Sequence, residues 1–314
     1  MNTFSIAIHG GAGTILKSEI TLDLEKAYHA GLKDALMAGY AVLEKNGSAL
    51  DAVKAAVVKL EDNALFNAGK GSVFTKTGTH EMDASLMDGK TKDAGAVASV
   101  KNIRNPVLLA DAVMQFSNHV LLSGEGAMDF AREQKIPTEP DDYFFTDFRY
   151  KQWQQLQSSD KVALDHSTAS QLSGPGKMGT VGAVACDKFG NVAAATSTGG
   201  MTNKNYGRIG DTAIIGAGTY ADNATAAISC TGHGEPFIKA VAAFSVISLM
   251  EHKKDTLQNA MKEIVHQKLL QFDGEGGMIG VDAQGNVSMQ FNSEGMYRAM
   301  KSSDGKEEVM IYKD

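Results

Sequence analysis

Residues 178–211 read MGTVGAVACDKFGNVAAATSTGGMTNKNYGRIGD and predict the central hairpin of the chain. Two runs of small apolar residues, 181–185 and 192–196, have the composition of short strands. The segment between them contains the Gly and Asn that are typical of a hairpin loop. Because neighbouring strands lie about 4.8 Å apart, the return strand is expected to bring a threonine, Thr196 or Thr198, back near Thr180 at the entrance of the hairpin.

The segment before this hairpin is polar. Residues 167–177 contain glycine and serine and show no hydrophobic periodicity, which is typical of a flexible linker. A linker that ends in Gly179-Thr180 at the mouth of a hairpin predicts that the chain is cut between these two residues. The cut frees an α-amine with a pKa of about 7.7–8.0, which can take the proton from the hydroxyl of the same residue. Thr180 is therefore predicted to be an N-terminal nucleophile.

Composition limits the other classes of function. A net charge of −7 and a pI near 5.6 argue against a nucleic-acid-binding surface. The two cysteines, Cys186 and Cys230, are too few for a disulfide scaffold or a cysteine-rich zinc site. The first eight residues lack the basic region of a signal peptide, and the longest apolar run, around residues 240–250, is too short to span a bilayer. We expect a cytoplasmic protein that binds neither nucleic acid nor membranes.

The order of elements indicates an α+β fold. A strand at residues 4–8 precedes the glycine-rich segment 9–13, which lacks the spacing of a dinucleotide-binding loop. We expect that segment to be a loop that allows close approach of another part of the backbone. Hydrophobic periodicity and capping residues predict the remaining elements. The predicted helices are 21–47, 48–60, 106–117, 126–134 and 146–157, with further helices opened by Pro236 and Asp255; the predicted strands are 80–88, 94–100, 211–218 and 226–229, with a closing hairpin at 278–291.

Spaced blocks along nearly the whole chain resemble one family. The blocks are His9–Gly13, Leu65–Gly69, Glu81–Ala84, Gly179–Ala185, Ala195–Gly200, Gly207–Asp211, Gly216–Gly218 and Cys230–Glu235. Their order is similar to that of the plant-type L-asparaginases, or isoaspartyl peptidases, among the N-terminal nucleophile hydrolases. The resemblance implies one domain over residues 1–314, with two antiparallel sheets between helical layers (αββα). It also implies that cleavage gives one subunit of residues 1–179 and a second of residues 180–314. The first subunit would end in a flexible linker from about residue 158, and two cleaved protomers would form a homodimer.

The same resemblance implies the roles of the site residues. Thr180 attacks a side-chain carbonyl, Thr198 orients it, and Asn67 helps to fix its amine or a water. The Thr231 hydroxyl and the Gly232 N–H stabilise the oxyanion, Arg208 binds an α-carboxylate and Asp211 binds an α-ammonium, with Gly234 contributing a carbonyl or only room. The implied substrates are β-aspartyl dipeptides and L-asparagine, hydrolysed through an acyl-enzyme without a catalytic cofactor.

A structural sodium ion is also implied by the resemblance. Its ligands are mainly the main-chain carbonyls of Leu60, Glu61, Asn63, Phe66, Ala68 and Lys70. A hard cation prefers oxygen ligands, but carbonyl ligands leave no side-chain pattern. On the residues alone, an ordinary tight loop remains an alternative.

Several other interpretations stay open at this stage. Arg208 and Asp211 form either a head-group site or only a surface ion pair. Glu81 and Asp83 share one strand face but have no histidine at metal spacing, which favours a structural role for Asp83. Two other functions are a glycosylasparaginase and a non-catalytic amino-acid-binding protein. An assay on a glycosylated asparagine distinguishes the glycosylasparaginase. A chain that stays intact and has no β-aspartyl peptidase activity favours the binding protein.

Overall fold

The computed structural model describes residues 3–157 and 179–313, and the predicted hairpin lies at its centre. Within these residues the strands are β1 Ser5–Gly13, β2 Met82–Asp88, β3 Ala94–Val100, β4 Leu121–Ser123, β5 Val181–Cys186, β6 Val192–Thr198, β7 Thr219–Ala221, β8 Ala226–Gly232, β9 Gly276–Asp282, β10 Val287–Phe291, β11 Gly295–Ser302 and β12 Glu307–Tyr312. The helices are α1 Leu22–Glu44, α2 Ala49–Glu61, α3 Pro106–Phe116, α4 Gly124–Glu133, α5 Asp141–Phe144, α6 Asp147–Gln157, α7 Gly234–Ala240, α8 Ala242–Lys253 and α9 Leu257–Glu263, the last continued by tighter and wider turns to Phe272. The predicted linker begins at about residue 158, and residues 158–178 lie outside the described part of the chain. The linker therefore stays a prediction.

The strands form two sheets. The large sheet has the order β12-β11-β1-β5-β6-β2-β3-β4 and the small sheet has the order β10-β9-β8-β7. Among the residues that the structure describes, every ladder is antiparallel except the short pairing of β3 with β4, which is parallel. This edge pairing is the one departure from the purely antiparallel sheets that we expected. The β5–β6 hairpin occupies the middle of the large sheet, between β1 and β2.

Three apolar cores separate four layers. Helices α1, α2 and α3 cover one face of the large sheet, and Leu32, Leu36 and Leu60 are buried there. The opposite face packs on the small sheet through a core that includes Val184 and Ile279. Helices α7, α8 and α9 cover the outer face of the small sheet. The αββα arrangement is confirmed, and it explains why β5 and β6 consist of small apolar residues: both of their faces are buried.

Most helix starts follow the predicted caps. The Thr21 and Ser48 side chains accept hydrogen bonds from the backbone N–H groups of Leu24 and Asp51, and Pro106 stands in the first turn of α3. The cap of α9 is Thr256 rather than Asp255. The helix predicted from Pro236 is in fact two helices, α7 and α8, because Val241 adopts a left-handed conformation with φ 47° between them.

The glycine-rich segment 9–13 is part of a strand, not the loop that we expected. It forms the second half of β1, and the register of β1 against β11 shifts between His9 and Gly11. A side chain at Gly11, where φ is +117°, would lie 2.6 Å from the backbone nitrogen of Gly179. The expected close approach of another backbone is therefore confirmed, and the partner is the residue that precedes Thr180.

The C-terminal part also differs from the prediction. The hairpin of β9 and β10 is present but does not close the fold. A second hairpin, β11 and β12, follows it and joins the large sheet beside β1. The predicted strand at 211–218 is a series of turns ahead of the short strand β7. The position of β11 depends on long-range pairing, which local pattern does not report. Residues 211–218 are instead held in turns by short-range hydrogen bonds, such as that from the Ile214 N–H to the Asp211 carbonyl.

Candidate active site

The hairpin places two threonines side by side at its open end. Val181 pairs with Ser197, so Thr180 and Thr198 lie at neighbouring positions on the two strands. Both side chains are buried, and both line the same small pocket. The Thr198 hydroxyl oxygen accepts a hydrogen bond from the Gly200 N–H at 3.0 Å. Its own hydrogen therefore remains free to point toward a neighbour such as Thr180.

The pocket brings together residues that are far apart in the sequence. Its space is about 20 Å³, roughly enough for one water molecule while Gly179 remains attached. A larger cleft of about 680 Å³ runs beside β10, β11 and β12, but none of the predicted catalytic residues lines it. The small pocket is lined by Gly179, Thr180, Thr198, Gly200, Met201, Arg208, Gly210, Asp211, Thr212 and Gly232.

The side of the pocket opposite the hairpin carries charge. The Arg208 Nε and Nη2 atoms donate to the Glu235 carboxylate at 2.9 and 2.7 Å, and His233 Nε2 lies 3.1 Å from the same carboxylate. Partial burial pushes the pKa of Glu235 up, but hydrogen bonds from His233 and Arg208 hold it well below its usual range. Glu235 belongs to the Cys230–Glu235 block, yet the sequence alone gave it no role.

Asp211 is the buried carboxylate of this pocket. It is 3% exposed, and its Oδ2 atom has no hydrogen-bond partner among the described residues. Burial raises its pKa to about 7, against the opposing effect of the Arg208 charge. A buried acceptor without a partner beside a cation is suited to a ligand that brings its own donor, such as an ammonium group.

Two glycines make room around this charged side. A side chain at Gly234 would lie 2.9 Å from Arg208 Nη2 and 3.0 Å from the Asp211 backbone nitrogen. Gly234 therefore contributes room in the structure. Gly232, with φ +144°, lies on the pocket wall, and a side chain there would meet the Glu275 carbonyl at 2.4 Å. Only glycine fits at position 232 without displacing the backbone.

Comparisons with known proteins show which family the chain is similar to. The family model described as asparaginase matches residues 2–311. The chain is 50% identical to the isoaspartyl peptidase of Salmonella typhimurium strain LT2 over 314 residues, which cover 100% of both chains. It is 48% identical to the isoaspartyl peptidase of Escherichia coli K12 over 309 residues, covering 98% of this chain and 96% of that one. It is 41% identical to the human isoaspartyl peptidase/L-asparaginase over 306 residues, covering 98% and 95%.

The chain belongs to the asparaginase family. The predicted membership of the chain in this family of hydrolases is confirmed by a match over nearly its whole length.

No helix in the described parts of this asparaginase-family chain is long and apolar enough to cross a membrane. A cytoplasmic location stays a prediction. Both cysteines, Cys186 and Cys230, are free and buried.

Two predicted site residues of the asparaginase-family chain lie just behind the pocket wall. The Asn67 amide donates to the Gly200 carbonyl at 2.7 Å and accepts from the Val73 N–H at 3.1 Å. It thus supports the turn after Thr198, and its predicted contact with the Thr180 amine or a water stays a prediction. The Thr231 hydroxyl oxygen accepts from the Ala12 N–H at 3.3 Å. The oxyanion role of Thr231 also stays a prediction.

The predicted sodium loop of this family member folds back on itself. A side chain at Gly69 would lie 2.5 Å from the Glu61 carbonyl oxygen, and one at Gly71 would lie 2.0 Å from the Phe66 carbonyl oxygen. The buried Glu61 Oε2 atom has no hydrogen-bond partner among the described residues. The Lys70 ammonium lies over the ring of Tyr143, 5.2 Å from its centroid. The predicted carbonyl ligands at Leu60, Asn63, Phe66 and Ala68 each accept a backbone hydrogen bond within this loop. Backbone carbonyls are ligands that a hard cation prefers, and sodium binding stays a prediction.

Sequence reasoning missed two residues besides Glu235. Thr212 lies on the pocket wall with its hydroxyl 3.5 Å from that of Thr180. His9 contacts the Thr180 carbonyl through its ring. His9 belongs to the His9–Gly13 block, but it has no metal-ligand spacing to other histidines, and sequence reasoning assigned its side chain no role.

Proposed function

We propose that the chain cleaves itself between Gly179 and Thr180 and then uses Thr180 to hydrolyse β-aspartyl dipeptides and L-asparagine, releasing L-aspartate. One observation carries this proposal. The bond to be cut, the threonine that follows it, and the Arg208 and Asp211 pair all line one pocket. The names of the bacterial and human relatives, isoaspartyl peptidase and isoaspartyl peptidase/L-asparaginase, agree with it.

The chemistry follows from the two sides of the pocket. Arg208 and Asp211 bind the α-carboxylate and the α-ammonium of the substrate, which places the side-chain carbonyl over Thr180. The α-amine of residue 180 takes the hydroxyl proton, and the oxygen attacks that carbonyl. The Thr198 hydroxyl donates a hydrogen bond to the Thr180 hydroxyl oxygen and orients the Thr180 side chain. The Gly232 N–H and the Thr231 hydroxyl stabilise the negative charge that develops on the substrate oxygen.

Two further steps complete turnover. The amine or ammonia leaves with a proton returned from the α-ammonium of residue 180, and an ester joins the aspartyl group to Thr180. A water molecule, deprotonated by the same α-amine, then attacks the ester carbonyl and releases aspartate. Because the uncut chain leaves space for about one water, departure of Gly179 is also what opens the pocket to substrate.

Sodium has a supporting role in this proposal. The carbonyls of Leu60, Glu61, Asn63, Phe66, Ala68 and Lys70 would hold it, and its charge would keep these dipoles together. Ion binding would hold the loop that carries Asn67, which in turn supports Gly200. The acyl transfer itself needs no cofactor. A homodimer of cleaved protomers is part of the same proposal.

Self-cleavage is tested on the purified protein after incubation at neutral pH. Scaling the 33.3 kDa mass to 179 and 135 residues gives fragments of about 19 and 14 kDa on a denaturing gel. N-terminal sequencing of the smaller fragment should start at Thr180. An intact chain that binds aspartate without turnover would instead identify an amino-acid-binding protein.

Turnover is tested with β-aspartyl dipeptides, asparagine and a glycosylated asparagine. Thr180→Ala should abolish both cleavage and turnover, whereas Thr77→Ala, which changes an exposed hydroxyl away from the pocket, should affect neither. Parent-like activity in Thr180→Ala would refute the proposal. Preference for the glycosylated substrate would identify a glycosylasparaginase.

A further inference from the structure

A buried histidine contacts the predicted nucleophile from behind. His9 is fully buried in β1, and its Nδ1 atom lies 3.0 Å from the Thr180 carbonyl oxygen. Its Nε2 atom lies 2.9 Å from the Ser229 hydroxyl on β8. The ring thus connects the residue at the start of the hairpin to the small sheet.

The partners determine where the ring proton lies. A carbonyl oxygen only accepts, so the hydrogen is on Nδ1, which donates to Thr180. Burial lowers the pKa of His9 to about 3, against the opposing effect of this hydrogen bond. The ring is therefore neutral at physiological pH, and Nε2 accepts a hydrogen bond from the Ser229 hydroxyl.

Ser229 is in turn held by a buried series of hydroxyl groups between the two sheets. Such interior networks hold their members more firmly than isolated contacts because water does not compete for the partners. The series ends at the backbone carbonyl of Thr212, a residue whose hydroxyl lies 3.5 Å from the Thr180 hydroxyl. Its contacts are Ser229 to Thr196 at 2.7 Å, Thr196 to Thr219, Thr219 to Ser85 at 2.8 Å, and Ser85 to the Thr212 carbonyl at 2.6 Å.

The backbone leaves space for this contact. Gly182 pairs with His9 across β1 and β5. A side chain at Gly182 would lie 2.0 Å from the Ser229 hydroxyl oxygen and 2.5 Å from His9 Nε2. The glycine two residues after Thr180 is therefore required for the histidine and the serine to meet.

Thr180 itself lies beyond the end of the ladder. The pairing of β1 with β5 stops at His9 and Gly182, and β5 begins at Val181. Once the bond to Gly179 is cut, residue 180 becomes a chain end, and chain ends are mobile unless something holds them. The His9 ring supplies a hydrogen bond to the Thr180 carbonyl at the position where the ladder no longer does.

We propose that His9 is a positioning residue that fixes the carbonyl of Thr180 and thereby directs its hydroxyl and its freed α-amine into the pocket. This inference rests on the proposed function of Thr180. His9 touches neither the substrate nor the reacting atoms. Its removal therefore changes how often the nucleophile is aligned and leaves head-group binding by Arg208 and Asp211 unchanged.

The test compares three variants with the parent, each measured per cleaved chain. His9→Ala removes the contact, and His9→Asn places an amide donor where Nδ1 was. His80→Ala is the matched control, because His80 is also buried and also contacts a carbonyl through Nδ1, that of Ser72, at 3.0 Å. The readouts are kcat and KM for a β-aspartyl dipeptide, the melting temperature, and the fraction cleaved.

We expect His9→Ala to lower kcat by about 10- to 100-fold, as for a misaligned reacting group, while KM stays near that of the parent. His9→Asn should recover most of the lost kcat, and His80→Ala should keep the parent kcat even if its melting temperature falls. A parent-like kcat in His9→Ala would overturn the inference. An equal loss of kcat in His9→Ala and His80→Ala, or no recovery in His9→Asn, would also overturn it.

A second variant covers failure of His9→Ala to fold. Ser229→Ala removes the group that holds Nε2 and should lower kcat by a smaller factor without changing KM; an unchanged kcat would overturn the inference. Thr180→Ala separates the two proposals. Activity in Thr180→Ala refutes the nucleophile itself, whereas an inactive Thr180→Ala beside a fully active His9→Ala refutes only the role of His9.

Discussion

The two sides of the pocket are built in different ways. Thr180 is surrounded by neutral partners, namely the Thr198 hydroxyl, the Thr212 hydroxyl and the ring of His9. The opposite side consists of charges, with Arg208 between Glu235 and the buried Asp211. Neutral hydrogen bonds in a buried network change little with pH or salt, whereas charged groups respond to both.

Under the proposed function the two sides have different roles. The neutral side would set the geometry of attack, so changes there should appear in kcat. The charged side would bind the head group, so changes there should appear in KM. The α-amine that the proposed cleavage would free at residue 180 is a titratable group on the neutral side, with a pKa of about 7.7–8.0 in an unperturbed chain. Its titration should appear in kcat.

Loss of the Arg208 guanidinium should have the largest effect on the charged side. Arg208→Ala removes charge-assisted hydrogen bonds to the substrate carboxylate, worth about 3 kcal/mol, so KM should rise by about 100-fold. The matched control is Arg132→Ala, which removes an exposed pair with Asp129 far from the pocket. Steady-state kinetics check the result. An unchanged KM, with self-cleavage intact, would contradict head-group binding by Arg208.

Acidification should weaken binding through Asp211. Burial raises its pKa to about 7, so the carboxylate that pairs with the α-ammonium is lost as pH falls through 7. Between pH 8 and pH 6 the ionised fraction falls by about tenfold, and KM should rise by a similar factor. Asp211→Asn should remove this dependence of KM on pH while raising KM at pH 8. A parent KM that is flat over this range would contradict the assignment.

The same pKa shift has a consequence for stability. Between pH 4 and pH 7 the Asp211 carboxyl keeps its proton in the folded state, because its folded pKa is raised, whereas the same carboxyl has lost its proton in the unfolded chain. The contribution of Asp211 to the free energy of unfolding therefore declines as pH rises from about 4 to about 7. Asp211→Asn should therefore gain melting temperature relative to the parent at pH 8 and not at pH 4. Thermal melts of both proteins at the two pH values check the sign.

Loss of Glu235 should have a smaller effect. The Glu235 carboxylate holds the Arg208 fork by two hydrogen bonds, but its side chain is 42% exposed, and such pairs contribute at most about 1 kcal/mol. Glu235→Ala should raise KM by up to about fivefold and leave kcat unchanged. A lower KM would show the reverse, that Glu235 competes with the substrate carboxylate for Arg208.

Added salt should have the smallest effect, and it should act on the charged side of the pocket alone. Raising the ionic strength shortens the distance over which charges act. KM should rise by about twofold between low and high salt, since Arg208 is partly exposed. The kcat of the parent should stay constant. A fall in kcat at constant KM would place the salt-sensitive group on the nucleophile side.

Much of the site was readable from sequence because it lies within short segments. The hairpin, with Thr180 at its entrance and Thr198 near its end, follows from local alternation and a loop rich in glycine and asparagine. The caps Thr21 and Ser48 follow from short-range hydrogen bonding. The resemblance of the spaced blocks to one family added Arg208, Asp211 and Gly232 to the predicted site. The structure places these three residues in the same pocket as Thr180 and Thr198.

Local sequence features were enough to predict a strand–turn–strand unit, a glycine–threonine step at its entrance, and an arginine three residues from an aspartate. Contacts between residues far apart in the chain could not be predicted in this way. His9 meets Thr180 171 residues away, Arg208 meets Glu235, and β11 pairs with β1. The physical reason is that local pattern reports which faces are buried, whereas the partner across a buried interface is chosen by how the sheets and loops pack.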